Sequence, residues 1–381
     1  MSKAEYWIWL SAALGAGARV DEITEAYPDP EILYHESRRE RAVSGVFSKQ
    51  RLDRLESTPL ENALTAAEVC RKNGWEIITP DSAGFPPDLK NLPDMPLVLF
   101  AHGDISCLKD NICVGVVGTR KPTYDSVEIA KSLSRDMAAC GAVIVSGGAL
   151  GIDTAAHEGA LEAGGKTVCV LGCGLGTRYL MQNSTLREEI AKNGAVISEY
   201  LPFSPASART FPIRNRIISG LSKGVLVVEA GEKSGSLITA KCALDQGREV
   251  FAVPGSILSS AYTGANRLIR DGAKAVTCAK DILEPFDFAF PGRLSLSENK
   301  NKLPAGKPRR GDKKINSRKS LPPDYGENEK AVYALLTNEP LHSDVICALT
   351  GLSPSKVISA LTELEIGGYA EQTEGRNYIL S

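Results

Sequence analysis

Short apolar runs alternate with longer amphipathic stretches through the middle of this chain. The runs are β-branched and apolar at nearly every position, whereas a half-buried strand would alternate apolar with polar residues. Strands of this kind are buried on both faces, as in a parallel sheet. The predicted strands are residues 112–117, 142–145, 166–171, 195–197, 224–228 and 249–253, with a further strand at 97–100.

Five helical stretches separate these strands, and each ends near a glycine, the residue that commonly terminates a helix. The predicted helices are 125–140, 152–163, 184–193, 213–221 and 236–246, and the glycines are Gly141, Gly164, Gly194, Gly220 and Gly247. This alternation predicts an α/β fold, a Rossmann-like, doubly wound and mostly parallel sheet over about residues 110–285.

The flanking regions differ in pattern from the middle. Residues 1–75 contain short apolar-periodic pieces and predict a helical N-terminal domain, and residues 76–290 form the extended Rossmann-like domain. Residues 291–325 are rich in Lys, Arg, Ser and Pro and predict a basic disordered linker. Residues 326–381 predict a winged helix, with helices at 327–336, 343–350 and 353–366 and a wing formed by 369–371 and 377–379.

Composition and charge narrow the class of protein. The 381 residues, 43% of them hydrophobic, suit a soluble protein of two or three domains without a signal peptide or membrane span. Nine scattered cysteines without a CxxC pair indicate buried thiols in a reducing cytoplasm. The net charge is −2, but 293–319 alone carry +8, which leaves about −10 elsewhere. A nucleic-acid site on the folded body is therefore expected to be a local groove.

The turn at residues 118–122 leaves a predicted strand at its carboxyl end, where open α/β sheets bind ligands. Thr119 and Arg120 can hydrogen-bond a phosphate there, Arg120 through two nitrogen atoms. The alternative interpretation is a solvated loop arginine.

The turn at residues 146–153 follows another strand and opens a helix. Its candidate residues are Ser146, Gly147, Gly148 and Gly151. Glycines let the backbone approach a phosphate, and a helix N-terminus supplies free N–H groups; the alternative is a tight turn without a ligand. Asp153 and His157 can share a helix face. Either the two residues bind a metal together, or Asp153 is a first-turn carboxylate that the helix dipole favours.

Arg214, Asn215 and Arg216 stand together near the start of a predicted apolar helix. Two arginines at this end oppose the helix dipole, and an anionic ligand would relieve the conflict. The alternative is an internal ion pair with Glu229 or Glu199.

Four further residues complete the candidate site. Phe211 either stacks on a nucleobase or belongs to the core, and Arg209 extends the cationic rim. Ser234 and Ser236 lie in a Gly/Ser loop before a helix, where they either contact phosphate or cap the helix.

In this order and at these spacings, the motifs resemble the DprA/Smf family of bacterial DNA-processing proteins. The matching text lies at 117–120, 146–157, 211–222, 228–230, 234–239, 251–255 and 264–266. The combination is specific, although each piece alone is common. The flanking regions resemble the family's helical N-terminal domain, which is SAM-like or helix-hairpin-helix-like, and its optional winged-helix domain.

The resemblance implies a single-stranded DNA-binding protein rather than an enzyme, without a cofactor. Family members protect incoming strands in natural transformation and hand them to the recombinase RecA, usually as homodimers. By this likeness Arg120, the turn 146–151, Arg214, Asn215 and Arg216 line the strand-binding pocket. The chain departs from the family pattern at three positions. Family members usually have Asp in place of Gly176 and Pro in place of Leu180, and some have a basic residue in place of Met181. Arg178 lies nearby in this chain.

Two other classes of protein compete with this reading. One is a phosphoribohydrolase of the lysine-decarboxylase-like group. Against it, the loop after Gly148 has no glutamate to act on a ribosyl bond. The other is a transcription factor whose winged helix reads duplex DNA. Against it, the proposed third helix has Glu363 and Glu365 as well as Lys356, and these acidic residues are unfavourable for contact with DNA. The histidines outside the α/β region suggest no catalytic set.

Overall fold

The computed structural model describes residues 2–295, 321–322, 325–337, 341–373 and 377–380. The chain divides into two compact units, Met1–Leu303 and Pro304–Ser381. The first unit holds both the helical N-terminal region and the α/β region, so the boundary at residue 75 stays a prediction. The predicted disordered linker lies largely outside the described residues.

Six helices form the N-terminal region. They are α1 (Lys3–Leu14), α2 (Asp21–Ala26), α3 (Pro30–His35), α4 (Arg38–Val43), α5 (Lys49–Ser57) and α6 (Leu60–Asn73). Helix α1 is the central one, since Trp7 and Trp9 are buried and it packs on α3, α5 and α6. The charged helices α4 and α5 were not predicted individually; α5 buries only Leu52 and Leu55.

A nine-stranded sheet forms the α/β region of the first unit. Its strands are β1 (Glu76–Ile78), β2 (Leu99–Gly103), β3 (Cys113–Val117), β4 (Val143–Ser146), β5 (Thr167–Leu171), β6 (Ala195–Ser198), β7 (Gly224–Val227), β8 (Glu249–Ala252) and β9 (Lys274–Ala275). The order is β1-β2-β6-β5-β4-β3-β7-β8-β9. Strands β3 to β9 pair in parallel, whereas β1–β2 and β2–β6 are antiparallel, which confirms the mostly parallel sheet.

Eight helices accompany the sheet. They are α7 (Pro87–Lys90), α8 (Tyr124–Ala139), α9 (Ile152–Glu162), α10 (Ser184–Asn193), α11 (Thr210–Leu221), α12 (Ser236–Asp245), α13 (Thr263–Arg270) and α14 (Ala279–Ala289). Gly141, Gly164 and Gly247 follow helices with positive φ, as predicted. The expectation for Gly220 was wrong, because it lies inside α11, where a Cβ would stand 2.8 Å from Leu89 and Leu92. This glycine serves close packing rather than helix termination.

Both faces of the sheet are buried. Val143 and Val145 of β4 join one hydrophobic cluster, and Ile144 joins another on the opposite face. The chain runs from β3 outward to β6 and then returns to β7 on the other side of β3. This reversal leaves a crevice at the carboxyl ends of β3 and β7, the usual ligand position in doubly wound sheets.

The second unit has the predicted winged-helix architecture. Its elements are α15 (Glu327–Leu335), β10 (Leu341–His342), α16 (Ser343–Thr350), α17 (Pro354–Ile366), β11 (Ala370–Thr373) and β12 (Asn377–Leu380). The strands pair in the order β10-β12-β11, so a short strand joins the predicted two-stranded wing. Within the described ranges no single helix is long and apolar enough to span a membrane; only the bent pair α16 and α17 passes together.

Candidate nucleic-acid interface

A cavity of about 300 Å³ opens at the carboxyl ends of the central strands. Three loops or helix starts that are distant in sequence meet there: the turn after β3, the first half of α11 and the start of α12. The candidate residues that line it are Thr119, Arg120, Phe211, Arg214, Asn215, Ser234 and Ser236. Arg120 and Arg214 therefore line the same cavity.

The turn after β3 is held by Glu229, which is buried just beyond β7. Its backbone carbonyl accepts a hydrogen bond from Thr119 N at 2.9 Å, and its carboxylate accepts from Thr123 N at 3.0 Å and Thr123 Oγ1 at 2.7 Å. Glu229 thus fixes the loop rather than pairing with an arginine of α11. Arg120 is left exposed, with its guanidinium 4.9 Å from the centre of the Phe211 ring.

Phe211 is a half-buried aromatic surface at the pocket wall. One side of the ring contacts the backbone at Gly172, where a Cβ would stand 2.7 Å from Phe211 Cδ1. The Tyr179 ring lies 5.4 Å away, centre to centre. The ring is therefore fixed by protein on one side and covered by Arg120 on another, in a cation–π contact.

Arg214 forms the floor of the pocket and is only 4% exposed. Its Nη1 donates to the carbonyl of Gly147 at 2.7 Å and to that of Val170, while its Nε has no partner among the described residues. Burial lowers the pKa of Arg214, and the nearby Asp153 carboxyl opposes that shift. The residue supplies positive charge beneath the pocket rather than at its rim.

The glycine-rich turn accommodates Arg214. A Cβ at Gly147 would overlap the Arg214 guanidinium, and one at Gly148 would stand 2.5 Å from Cys169 Sγ. Ser146 is fully buried and donates through Oγ to the carbonyl of Val116 at 2.6 Å. Protein groups thus fill the space that the sequence analysis assigned to a phosphate, and Ser146, Gly147 and Gly148 do not line the cavity.

Two residues next to this turn complete its support. Gly151 adopts φ +89°, with the carbonyl of Thr119 close to it. Asp153 is buried, accepts a hydrogen bond from Ala149 N at 3.3 Å and lines the cavity. Burial raises the pKa of Asp153, and the Arg214 charge opposes the rise.

Arg216 occupies a different environment from Arg214. It is 5% exposed and donates through Nη2 to Glu199 at 2.6 and 2.7 Å, with Asp94 3.4 Å from its Nε. This is the internal ion pair with Glu199 that the sequence left open as an alternative. Arg216 does not line the cavity, because residues two apart on a helix lie roughly 200° apart around its axis.

The start of α12 forms another wall. Ser234 Oγ and Ser236 Oγ lie 2.8 Å apart, and no side chain caps the helix, whose N-cap residue is Gly235. The capping alternative is therefore not what the structure shows. Leu237 N and Ile238 N donate to the carbonyls of Ser234 and Gly235 at 3.1 and 3.2 Å, so the start of α12 offers the pocket two serine hydroxyls and the positive end of the helix dipole. Arg209 is exposed at the N-cap of α11, outside the cavity lining.

His157 is a buried core residue behind the turn. Thr167 Oγ1 donates to the carbonyl of Ile144 at 2.8 Å, so we assign the proton to His157 Nδ1, which donates to Thr167 Oγ1 at 2.7 Å. Burial lowers the pKa of His157 to about 3, and the Arg214 charge adds to the shift. Nowhere in the described ranges do His, Cys, Asp and Glu side chains form a metal-binding group.

The segment 172–183, where the chain departs from the family pattern, forms one edge of the site. Gly176 packs under Phe203, and Leu180 adopts φ +48°, a left-handed conformation. Arg178 is exposed in the same loop, and Met181 is 57% exposed. Sequence reasoning missed Tyr179 and Phe203 here; the available signal was two aromatic residues in loops after neighbouring strands.

The comparisons with known proteins agree with this architecture. A model of the family described as DNA recombination-mediator protein A matches residues 76–287, and a DprA winged helix domain model matches 317–376. The chain is 38% identical to Protein Smf of Escherichia coli over 303 residues, covering 78% of this chain and 76% of the relative. It is 45% identical to DNA processing protein DprA of Bacillus subtilis over 214 residues, covering 56% and 72%.

Two solved structures are also similar. DprA from Streptococcus pneumoniae aligns with a TM-score of 0.64 at 33% identity, over 74% of this chain and 98% of that one. DprA from Helicobacter pylori, studied for its single-stranded DNA binding mode, aligns with a TM-score of 0.52 at 31% identity, over 57% and 97%. Together with the matched motifs and the fold, these likenesses show that the chain belongs to the DprA/Smf family of DNA-processing proteins.

Proposed function

We propose that this protein binds single-stranded DNA in the cavity at the sheet edge and protects the strand in natural transformation. The observation that carries the proposal is the meeting of an exposed arginine, a half-buried aromatic ring and a helix N-terminus in one cavity. On strand binding the Arg120 side chain leaves the Phe211 ring for a phosphate, a base stacks on the ring in its place, and an adjoining phosphate lies beside the start of α12.

The geometry favours a single strand over a duplex. A base reaches a half-buried ring only when it is unpaired and unstacked. The groups available at the cavity, a guanidinium, serine and threonine hydroxyls and a helix dipole, suit phosphate and carry little sequence information. We therefore expect sequence-tolerant binding, and the Helicobacter pylori relative studied for single-stranded DNA binding supports the same choice.

Fluorescence anisotropy of a labelled oligonucleotide at several salt concentrations tests the proposal. Arg120→Ala should weaken binding alike for different sequences, and each lost phosphate contact should flatten the log–log salt slope by about 0.7. Arg270→Ala is a matched control, because Arg270 is an exposed arginine of α13 outside the cavity. Equal affinity of the wild type for single strand and duplex, or an Arg120 variant that binds normally, would remove the assignment.

We propose binding without turnover. Asp153 is the one carboxylate among the described residues that line the cavity, and it is buried and hydrogen-bonded to the backbone. Such a group is poorly placed to act on a ribosyl bond in the pocket. Incubation with AMP followed by analysis for free adenine distinguishes the two activities, since release of adenine at a catalytic rate would favour a phosphoribohydrolase.

We further propose a cytoplasmic homodimer that passes its strand to RecA. Ile257 and Leu258, in the loop after β8, are 92% and 94% exposed, and large apolar side chains in this state favour self-association. Light scattering of an Ile257→Glu, Leu258→Glu double variant tests this surface, and a persistent dimer would assign the interface elsewhere. RecA filament formation on protected strands, with and without the protein, tests the handover.

The winged helix is proposed to contact protein rather than duplex DNA. Helix α17 exposes Glu363 and Glu365 on nearly opposite sides and has Lys356 as its one basic residue, so neither side of its second half offers a cation to phosphates. A chain ending at residue 320, which keeps the basic segment 293–319 and lacks the winged helix, should therefore retain the duplex affinity of the full chain. A large loss of duplex binding on truncation would instead favour the transcription-factor alternative.

A further inference from the structure

Phe203 is a large exposed aromatic residue close to the candidate site, in the loop between β6 and α11. It is 65% exposed, although it belongs to a loop whose backbone is well tied to its neighbours. Large aromatic side chains that project from an ordered loop beside a binding pocket are candidates for ligand contacts rather than for the core.

The ring is held from below by the loop that follows β5. Gly176 N donates to the carbonyl of Pro202 at 2.8 Å, and Gly174 N donates to that of Ser204 at 2.9 Å. Phe203 rests on Gly176, where an added Cβ would stand 2.5 Å from Phe203 Cε1. The absence of a side chain at Gly176 lets the ring lie on the backbone, so its orientation is restrained while most of its surface faces solvent.

The same loop connects Phe203 to the pocket. Gly172 contacts Phe211, and Gly176 contacts Phe203, so the two contact points are four residues apart along one loop. Four residues span at most about 14 Å, a distance that a few nucleotides of a flexible strand cover. Three residues after Gly176, Tyr179 packs on Phe211, and the neighbouring exposed Arg178 offers a cation for a phosphate.

We propose that Phe203 is a second stacking platform, on which a base next to the pocket-bound part of the same DNA strand rests, with Arg178 beside its phosphate. This inference deepens the proposed function and rests on it. It also gives a role to the segment where the chain departs from the family pattern, because a residue larger than glycine at 176 would displace the ring.

Oligothymidylates of increasing length test the proposal on the full-length protein. Phe203→Ala should lower the affinity for a dodecamer about 5-fold or more, the lower end of the effect of losing one base–aromatic stack. It should leave the affinity for a trinucleotide, which the pocket alone can hold, unchanged. Phe203→Leu keeps apolar volume without a π face and should behave like the alanine variant, whereas Phe203→Trp should retain affinity.

Phe203→Trp also supplies a direct readout, because the fluorescence added by an exposed tryptophan should be quenched by a stacked base on strand binding. Phe288→Ala is the matched control, since Phe288 is 91% exposed on α14 and does not line the cavity. If the wild type binds single strands and Phe203→Ala binds every length equally well, the second platform is overturned while the pocket stands. If the wild type itself fails to bind single strands, the proposed function falls first.

Discussion

The ion pair between Arg216 and Glu199 distinguishes Arg216 from Arg214, the arginine of helix α11 that lines the cavity. Both side chains are nearly inaccessible, with 6% and 4% of their surfaces exposed. Removing one partner of a buried pair leaves an uncompensated charge and costs about 3–5 kcal/mol. We therefore expect Arg216→Met and Glu199→Gln each to lower the free energy of unfolding by an amount in this range.

The double variant Arg216→Met, Glu199→Leu supplies the control, because apolar residues of similar volume often replace a buried pair without loss. Its destabilisation should be well below the sum of the two single effects. Asp94, 3.4 Å from Arg216 Nε, is 36% exposed and stays solvated when its partner is removed, so it should contribute little. Urea denaturation followed by far-ultraviolet circular dichroism measures all three values.

Binding separates this explanation from the alternative. Since Arg216 does not line the cavity, the folded fraction of each variant should bind single-stranded DNA with wild-type affinity under conditions where it remains folded. A variant that keeps its urea midpoint and loses affinity would refute the structural assignment and return Arg216 to the ligand site.

Three further predictions concern the buried groups around the glycine-rich turn. Burial lowers the pKa of His157 to about 3 in the folded state, so between about pH 6.5 and pH 3 only the unfolded state binds a proton there, and stability falls as pH falls below about 6.5. This effect should lower the free energy of unfolding of the wild type by about 2 kcal/mol between pH 7 and pH 5. The decrease should be absent in His157→Asn, as measured by urea denaturation at each pH. Gly147→Ala should displace the Arg214 guanidinium and lower the free energy of unfolding by about 1–3 kcal/mol. Gly84→Ala should be tolerated in the same assay, because the nearest atom to a Cβ added there, Ile105 Cδ1, would be 4.0 Å away. Asn183→Ala should lower the free energy of unfolding by about 1–3 kcal/mol, measured by thermal unfolding, because Asn183 Nδ2 donates to the carbonyl of Gly148 at 3.2 Å and to Thr154 Oγ1 at 2.9 Å. An unchanged pH dependence in His157→Asn, or unchanged stability in Gly147→Ala or Asn183→Ala, would contradict the packing described.

Much of the sheet could be predicted because the signal is local. Strands such as β4 and β5 are apolar on both faces, and this continuous pattern differs from that of any surface element. The edge strands β1 and β9, three and two residues long, carry too few positions for a pattern. The antiparallel pairing of β2 with β6 was not predictable, because it depends on contacts between residues about 95 positions apart.

The site was predictable as a meeting of loops but not in its internal division of labour. Arg214, Asn215 and Arg216 are adjacent in sequence and were predicted as one group, although helix geometry alone places the two arginines on nearly opposite sides of α11. Which of them faces the pocket depends on where Glu199 lies after β6, and that is a tertiary fact. The glycines at 147 and 148 were similarly ambiguous, since close approach by a ligand and by a protein side chain both require glycine.

In the proposed function, Arg214 and Arg120 would act on an anion in different ways. A guanidinium in the pocket floor, bonded to the carbonyls of Gly147 and Val170, has little freedom to move toward a ligand. Its contribution is a fixed positive potential, strengthened by the low dielectric around it and joined by the dipole at the start of α12. Arg120 has no such constraint and can follow a phosphate that moves with a flexible strand. A rigid charge below and a mobile charge above suit a polymer whose successive phosphates have the same charge but not the same position. On this ground we propose a strand, rather than a single rigid metabolite, as the ligand of the cavity.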